Sequence, residues 1–219
     1  MNATKEKART APAHRLTFLQ KFYIGVKSVA DFFLALTALL LLFPLFLVVA
    51  IAIKLDSPGP VFFVQKRIGK GGKPFNCIKF RSMSMDAKHD VASYQYPEVH
   101  EHITKVGAFI RKTSIDELPQ LINILAFQMS LIGFRPTLGN EAELDNARQS
   151  FGVYRVKPGI TGWAQINGRD LLAANPTQKA EYDAFYLQNL SPWLDIKIFF
   201  RTIPVVLKAA GYQEGEKNK

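Results

Sequence analysis

The stretch from Val29 to Ile53 constrains this chain more than any other. It runs 25 residues, and its one formal charge is Asp31, near the start. Fully helical, it reaches roughly 37 Å at 1.5 Å per residue, against a bilayer hydrocarbon core of roughly 30 Å. A cleaved leader fits poorly, because the run is too long and no small-x-small cleavage site follows. The chain continues instead as Lys54-Leu55-Asp56-Ser57-Pro58.

Two features argue against a plain spanning helix. Pro44 lies inside the run, where it removes a helical hydrogen bond and crowds the preceding turn, so a kink is expected. Both flanks are basic. Lys5, Lys7, Arg9, Arg15, Lys21 and Lys27 precede or open the run, and Lys54, Lys66, Arg67, Lys70, Lys73, Lys79 and Arg81 follow it. A spanning helix normally carries its Lys/Arg excess on one side. A re-entrant helix bent at Pro44 satisfies both flanks, so we expect that form; a spanning helix and a buried soluble helix are the alternatives. Proline kinks also occur in spanning helices, so Pro44 alone does not decide the matter.

The whole chain has 219 residues and a formal net charge of +10, which calls for anionic partners: nucleic acid, acidic lipid or a phosphorylated substrate. One cysteine, Cys77, excludes an intrachain disulfide framework and reads as a small strand hydrophobe. Four segments are expected: a basic tail over 1–21, the re-entrant helix over 22–55, a folded domain over 56–211 and a polar tail over 212–219.

Beyond the membrane segment the pattern is α+β. Val61 to Ile68 and Pro74 to Met83 read as two strands joined by the turn Gly69-Lys70-Gly71-Gly72, with Lys79 and Arg81 on one face of the second. Met85 to His102 reads as a polar loop. Helices are expected over Ile103 to Lys112, Asp116 to Phe127, Glu141 to Ser150 and Thr177 to Asn189, and a last one over Pro192 to Ala210, interrupted by Pro204. The aromatics and cations of that last segment suit a membrane interface or ordinary packing equally.

Ser114 and Glu117 have capping-box spacing, and Pro119 tolerates only a first helical turn. Asp116 and Glu117 are therefore expected at a helix N-terminus, where N–H groups and the macrodipole favour anions. Such a pair can simply start a helix. It can also supply a nucleophile or bind a hard cation through oxygen. Arg111, Arg135 and Arg169 offer planar guanidinium groups suited to phosphate.

Long motifs then meet in order. Lys79-Phe80-Arg81-Ser82-Met83, Arg111 to Gln120, Lys157 to Gln165 and Asn167-Gly168-Arg169 resemble the signatures of bacterial sugar transferases, the small monotopic phosphoglycosyl transferases. The resemblance runs from about Phe22 to Leu207, and Pro44 fills the place of the family's helix-bending proline. It implies transfer of a sugar phosphate from a UDP-sugar to polyprenyl phosphate at the cytosolic face of a bacterial inner membrane, through a covalent aspartyl phosphosugar and with release of UMP. It implies Asp116 as nucleophile and Mg²⁺ held by Asp116 and Glu117. Lys79, Arg81, Arg111, Arg135 and Arg169 match basic substrate-binding positions, and Asp183 and Asp195 match later acidic ones. Membrane lipid is an implied partner and nucleic acid is not; a homo-oligomer stays open. The family usually has Gly-Pro-Arg-Pro where this chain has Gly133-Phe134-Arg135-Pro136, so a less rigid turn is expected before Arg135.

No Walker loop, Rossmann glycine fingerprint or zinc spacing appears. A basic membrane-tethered binding protein would explain the charge, but it leaves Asp116, Glu117 and the Pro158-Gly159-Ile160-Thr161-Gly162 loop without a task.

Overall fold

A computed structural model describes residues 15–87, 99–168 and 175–207. Most of the expected basic tail, most of the expected polar loop, Arg169 and the expected C-terminal tail lie outside the described residues. The fold is α+β, as expected.

Helix α1 spans Phe18–Asp56 and runs unbroken through Pro44. Its start is set by a reciprocal cap: the Thr17 hydroxyl accepts from the Gln20 amide at 3.2 Å, and the Gln20 side chain accepts from the Thr17 amide at 3.0 Å. The helix therefore begins before the apolar run does. It is the one helix among the described residues long and apolar enough to cross a membrane. One stripe of it, including Tyr23, Ala35, Leu39, Leu42, Phe46, Val49 and Ile53, packs on the rest of the protein at the three-to-four-residue spacing of a helix face. The opposite face presents Leu40, Leu41, Phe43, Leu47 and Val48 outward. So long an exposed apolar surface marks a membrane or partner surface rather than a free one.

Strands β1 (Phe62–Ile68) and β2 (Pro74–Phe80) form an antiparallel hairpin with Phe62 opposite Phe80 and Ile68 opposite Pro74. The short turn between them places Gly71 and Gly72 at φ 72° and 71°, which glycine adopts without steric cost. After the short helix α2 (Val99–His102), Thr104 caps α3 (Lys105–Lys112) by accepting from the Gly107 amide at 3.0 Å.

The helix expected over Asp116 to Phe127 is divided. Ile115–Glu117 is a single 3-10 turn, and α4 covers only Gln120–Leu125, beginning after Pro119. The capping box expected from Ser114 and Glu117 does not form. Ser114 sits at φ 57°, its side chain makes no cap bond, and Glu117 has tertiary partners instead.

Strand β3 (Ser130–Ile132) pairs in parallel with β4 (Gly159–Thr161). Here two backbones touch. A Cβ on Gly159 would lie 2.1 Å from the Gly133 nitrogen, and one on Gly162 would lie 1.9 Å from the Gly133 oxygen. The glycines of this loop are thus demanded by close approach. Helices α5 (Ala142–Phe151), α6 (Trp163–Ile166), α7 (Pro176–Gln188) and α8 (Pro192–Leu207) complete the domain. The interruption expected at Pro204 does not occur, since α8 stays helical through it.

Three apolar clusters make the core. One lies under α7 and α8 around Phe134, Leu187 and Ile198; one lies between β2 and α4 around Cys77, Leu121 and Ile124; one lies at the end of α1 around Val49, Ile53, Phe80 and Ile110. Helix α1 lines all three, so it is the spine on which the rest of the domain is mounted.

Candidate active site

Three elements converge on Glu117. Strand β2 carries Lys79, whose Nζ donates to Glu117 Oε1 at 2.8 Å. The segment after β3 carries Arg135, whose Nη2 and Nη1 donate to Glu117 Oε1 and Oε2 at 2.8 and 3.2 Å. The 3-10 turn carries Glu117 and Asp116 themselves, both buried. A lone buried carboxylate is costly by several kcal/mol, and two cations with a forked bidentate contact offset that. Lys79, Arg135 and Glu117 sum to one positive charge, and Asp116 makes the group formally neutral. Any phosphate arriving here meets cations already held in place.

Local sequence explains why each part stays put. The buried Asn123 side chain accepts from the Ile78 amide at 3.0 Å and donates to the Asn76 carbonyl at 2.7 Å, pinning α4 to β2 beside Lys79. Arg135 follows the β3–β4 contact, where the Gly133 amide donates to the Thr161 carbonyl and the Gly159 amide to the Phe134 carbonyl, each at 2.9 Å. The sequence leads one to expect a less rigid turn at Phe134. Its ring is buried edge-on against Tyr154 with the Arg148 guanidinium above it, so packing replaces the ring constraint of a proline.

The other expected site residues are placed as follows. Arg111 donates to the Ser82 hydroxyl at 3.3 Å, just past the end of β2. Arg81 faces the end of α1: it donates to the carbonyls of Ile53 and Ser57 at 3.3 and 2.7 Å, and to that of Pro58. A cation there complements the helix C-terminus. Asp183 is fully buried against Arg148, whose Nε and Nη2 donate to it at 2.9 and 2.6 Å. Burial pushes the Asp183 pKa up from the usual carboxylate range, and Arg148 pulls against it. Asp195 accepts from the Tyr23 and Tyr186 hydroxyls at 2.6 and 2.8 Å and pairs with Lys27 at 2.8 Å, tying α8 to α1. Lys79, Arg135, Glu117 and Asp116 are thus brought together, whereas Arg81, Asp183 and Asp195 are engaged with the scaffold. Arg169 lies outside the described residues.

Sequence reasoning missed Arg67. Its Nη1 donates to the Pro136 carbonyl at 3.3 Å, beside Arg135, and the rest of its guanidinium is held by Gln65. Burial and the neighbouring Arg135 lower its pKa from the usual value. The available signal was the two-residue spacing of Gln65 and Arg67, which puts both on one face of β1.

Asp116 and Glu117 are a small donor set. Among the described residues no group of three or more His, Cys, Asp or Glu is arranged to hold a metal. Mg²⁺ takes one or two carboxylates and fills its octahedron with water and phosphate oxygens, and here both Glu117 oxygens also accept from Lys79 and Arg135. Cations held in place around a buried carboxylate suit phosphoryl transfer, where positioning and charge stabilisation do most of the work.

Residues 22–209 match the family described as bacterial sugar transferase. Among curated relatives, the chain is 42% identical over 192 residues to the UDP-N-acetylgalactosamine-undecaprenyl-phosphate N-acetylgalactosaminephosphotransferase of Aeromonas hydrophila, covering 86% of this chain and 45% of that protein. It is 44% identical over 186 residues to the UDP-glucose:undecaprenyl-phosphate glucose-1-phosphate transferase of Escherichia coli, covering 81% of this chain and 39% of that one. It therefore spans less than half the length of these two. A third relative, the exopolysaccharide production protein ExoY of Rhizobium meliloti, is 38% identical over 196 residues, with 83% and 85% of the two chains covered. On the match over 22–209, and on relatives that align along nearly their whole length, the chain belongs to the bacterial sugar transferase family.

Proposed function

We propose that this protein transfers a sugar 1-phosphate from a UDP-sugar to polyprenyl phosphate, with Asp116 as the nucleophile. The observation that carries the reading is the buried Asp116–Glu117 turn, clamped by Lys79 and Arg135 in a chain whose named relatives act on undecaprenyl phosphate. An Asp116 carboxylate oxygen attacks the β-phosphorus of the donor. The bond from that phosphorus to the bridging oxygen breaks, and UMP leaves with the oxygen. A phosphate oxygen of the lipid then attacks the same phosphorus and expels the carboxylate, giving a diphosphate-linked lipid and regenerating Asp116. Lys79 and Arg135 hold Glu117 and face the charge that develops on the phosphoryl oxygens, with Arg67 beside Arg135 and Arg111 past the end of β2 as further cations. Asp116 and Glu117 would hold Mg²⁺, which would supply neutralisation of diphosphate charge.

We place the active site on the cytosolic face, with α1 re-entrant. Two observations support this. Both flanks of the apolar run are basic. And α1, about 58 Å long if straight, packs on the same domain from Tyr23 to Ile53, on both sides of Pro44. A straight helix crossing the bilayer would carry half of that buried stripe away from a domain on one side.

The test is the reaction without lipid. Purified protein, a UDP-sugar and Mg²⁺ should give an intact-mass increase of one sugar phosphate, together with stoichiometric UMP. Asp116→Asn keeps the side-chain shape and should give neither. Turnover by Asp116→Asn, or an adduct that maps elsewhere, overturns the assignment.

A further inference from the structure

A cavity of about 380 Å³ opens between the second half of α1 and helix α3. That volume is within the range of small-molecule pockets, roughly 300–1,000 Å³. Leu45, Val49, Val106 and Ile110 are among the side chains that line it, and Val48 and Phe109 stand at its mouth, 64% and 61% exposed. Lys105 is the one charged side chain in its lining. Ile115, which precedes Asp116, forms part of the wall.

The walls come from two elements held in register: the Asp56 carboxylate accepts from the Val106 amide at 2.9 Å, and Phe80 packs beneath on Phe46 and Ile110. The mouth continues the outward apolar face of α1, so it opens where the hydrocarbon of a membrane would lie. The residue chemistry is an apolar trough with one cation and no carboxylate, and that complements an amphiphile with an anionic head. The trough reaches the residue next to the nucleophile.

We propose that this groove seats the first isoprenoid units of the polyprenyl phosphate acceptor, with Lys105 pairing its phosphate on the way to Asp116. The assignment rests on the reading of the activity given above. It explains why α3 keeps Phe109 outward beside α1, and why the acceptor need not leave the bilayer to react.

Two measurements test it. The first separates the half-reactions. Val48→Trp fills the mouth at an exposed position, and Lys105→Ala removes the cation. Both should form the sugar-phosphate adduct and release UMP without lipid at rates within about twofold of the parent. The KM for undecaprenyl phosphate should rise at least about tenfold. Lys105→Arg should restore most of the loss. An unchanged KM in Val48→Trp and Lys105→Ala overturns the proposal, and so does equal damage to adduct formation. The second uses a diazirine-bearing geranylgeranyl phosphate with the parent protein in nanodiscs. Crosslinks should map to 45–52 and 105–110 and be displaced by undecaprenyl phosphate. Displacement by phosphatidylglycerol to the same extent would mean a bulk-lipid groove only, and crosslinks elsewhere would also refute the site. This arm needs no turnover. If the parent forms no adduct, the aspartyl reading fails while the crosslinks still decide the groove.

Discussion

Asp183 sits at a position that the family resemblance groups with the active-site acids, yet its geometry is that of a scaffold residue, and Asp183→Ala separates the two. The substitution strands the Arg148 guanidinium, whose side chain has 0% exposure, without the carboxylate that accepts from Nε and Nη2. Nη1 of the same group already lacks a hydrogen-bond acceptor. Breaking a buried pair from one side costs about 3–5 kcal/mol. For a chain of this size each kcal/mol corresponds to about 2–4 °C, so the melting midpoint should fall by roughly 6–20 °C. The assay is far-UV circular dichroism of detergent-solubilised protein at one fixed scan rate, because unfolding of such a protein is irreversible in practice. The pair can also be removed whole. Asp183→Leu with Arg148→Met leaves no uncompensated charge, so it should recover most of the lost midpoint and most of the activity. An Asp183→Ala protein that melts like the parent but releases no UMP would refute this reasoning and move Asp183 to the substrate.

Three further outcomes follow from the site. Arg135→Ala should lower the rate of UMP release by about 10²–10³-fold, and Arg135→Lys should recover little, because the fork on Glu117 is lost; near-parent rates in the lysine variant would show that charge alone suffices. Cys77 is 1% exposed and burial pushes its thiol pKa up, so a maleimide should leave the native protein untouched at pH 8 and label one site after denaturation; rapid native labelling would contradict the packing between β2 and α4. EDTA should abolish adduct formation and Mg²⁺ should restore it, whereas full turnover in EDTA would remove the metal from the mechanism.

Sequence pattern carried some elements and not others, for physical reasons. The apolar run of α1 and the glycine-rich turn between β1 and β2 are local signals, and both elements are where they were expected. Lys79 and Glu117 came from long motifs in order and Arg135 from a shorter stretch that departs from the family's pattern, and the structure brings those side chains together. The failures are tertiary. Ser114 and Glu117 have capping-box spacing, but Ser114 is in the left-handed region and the Glu117 carboxylate is held by strands far away in sequence. Nothing local in Asp183 announces Arg148, 35 residues earlier. Arg81 read as one of a basic row on β2, and only the fold shows that the carbonyls of α1 lie opposite it. Phe134 read as a weakened turn because a burial site was not visible from its neighbours.

Strand β2 ties these facts into one mechanical arrangement. Cys77, Lys79 and Arg81 alternate onto one face, and within those five residues they contact the core beside Leu121, the Glu117 carboxylate and the end of α1 in turn. Gly59 makes the last contact possible: it sits at φ 124°, and a Cβ there would lie 2.0 Å from Arg81 Nη1. On the other side, Asp56 holds the start of α3, the helix that leads into Ser114 and the Asp116 turn. The end of α1 is therefore fixed to the Asp116 turn by two short paths, one through β2 and one through α3. An anchor joined to its domain by a loose linker would let the site wander in depth relative to the bilayer. Here the position of Asp116 is set by where α1 ends, which is what the proposed reaction between a water-soluble donor and a membrane-bound acceptor requires.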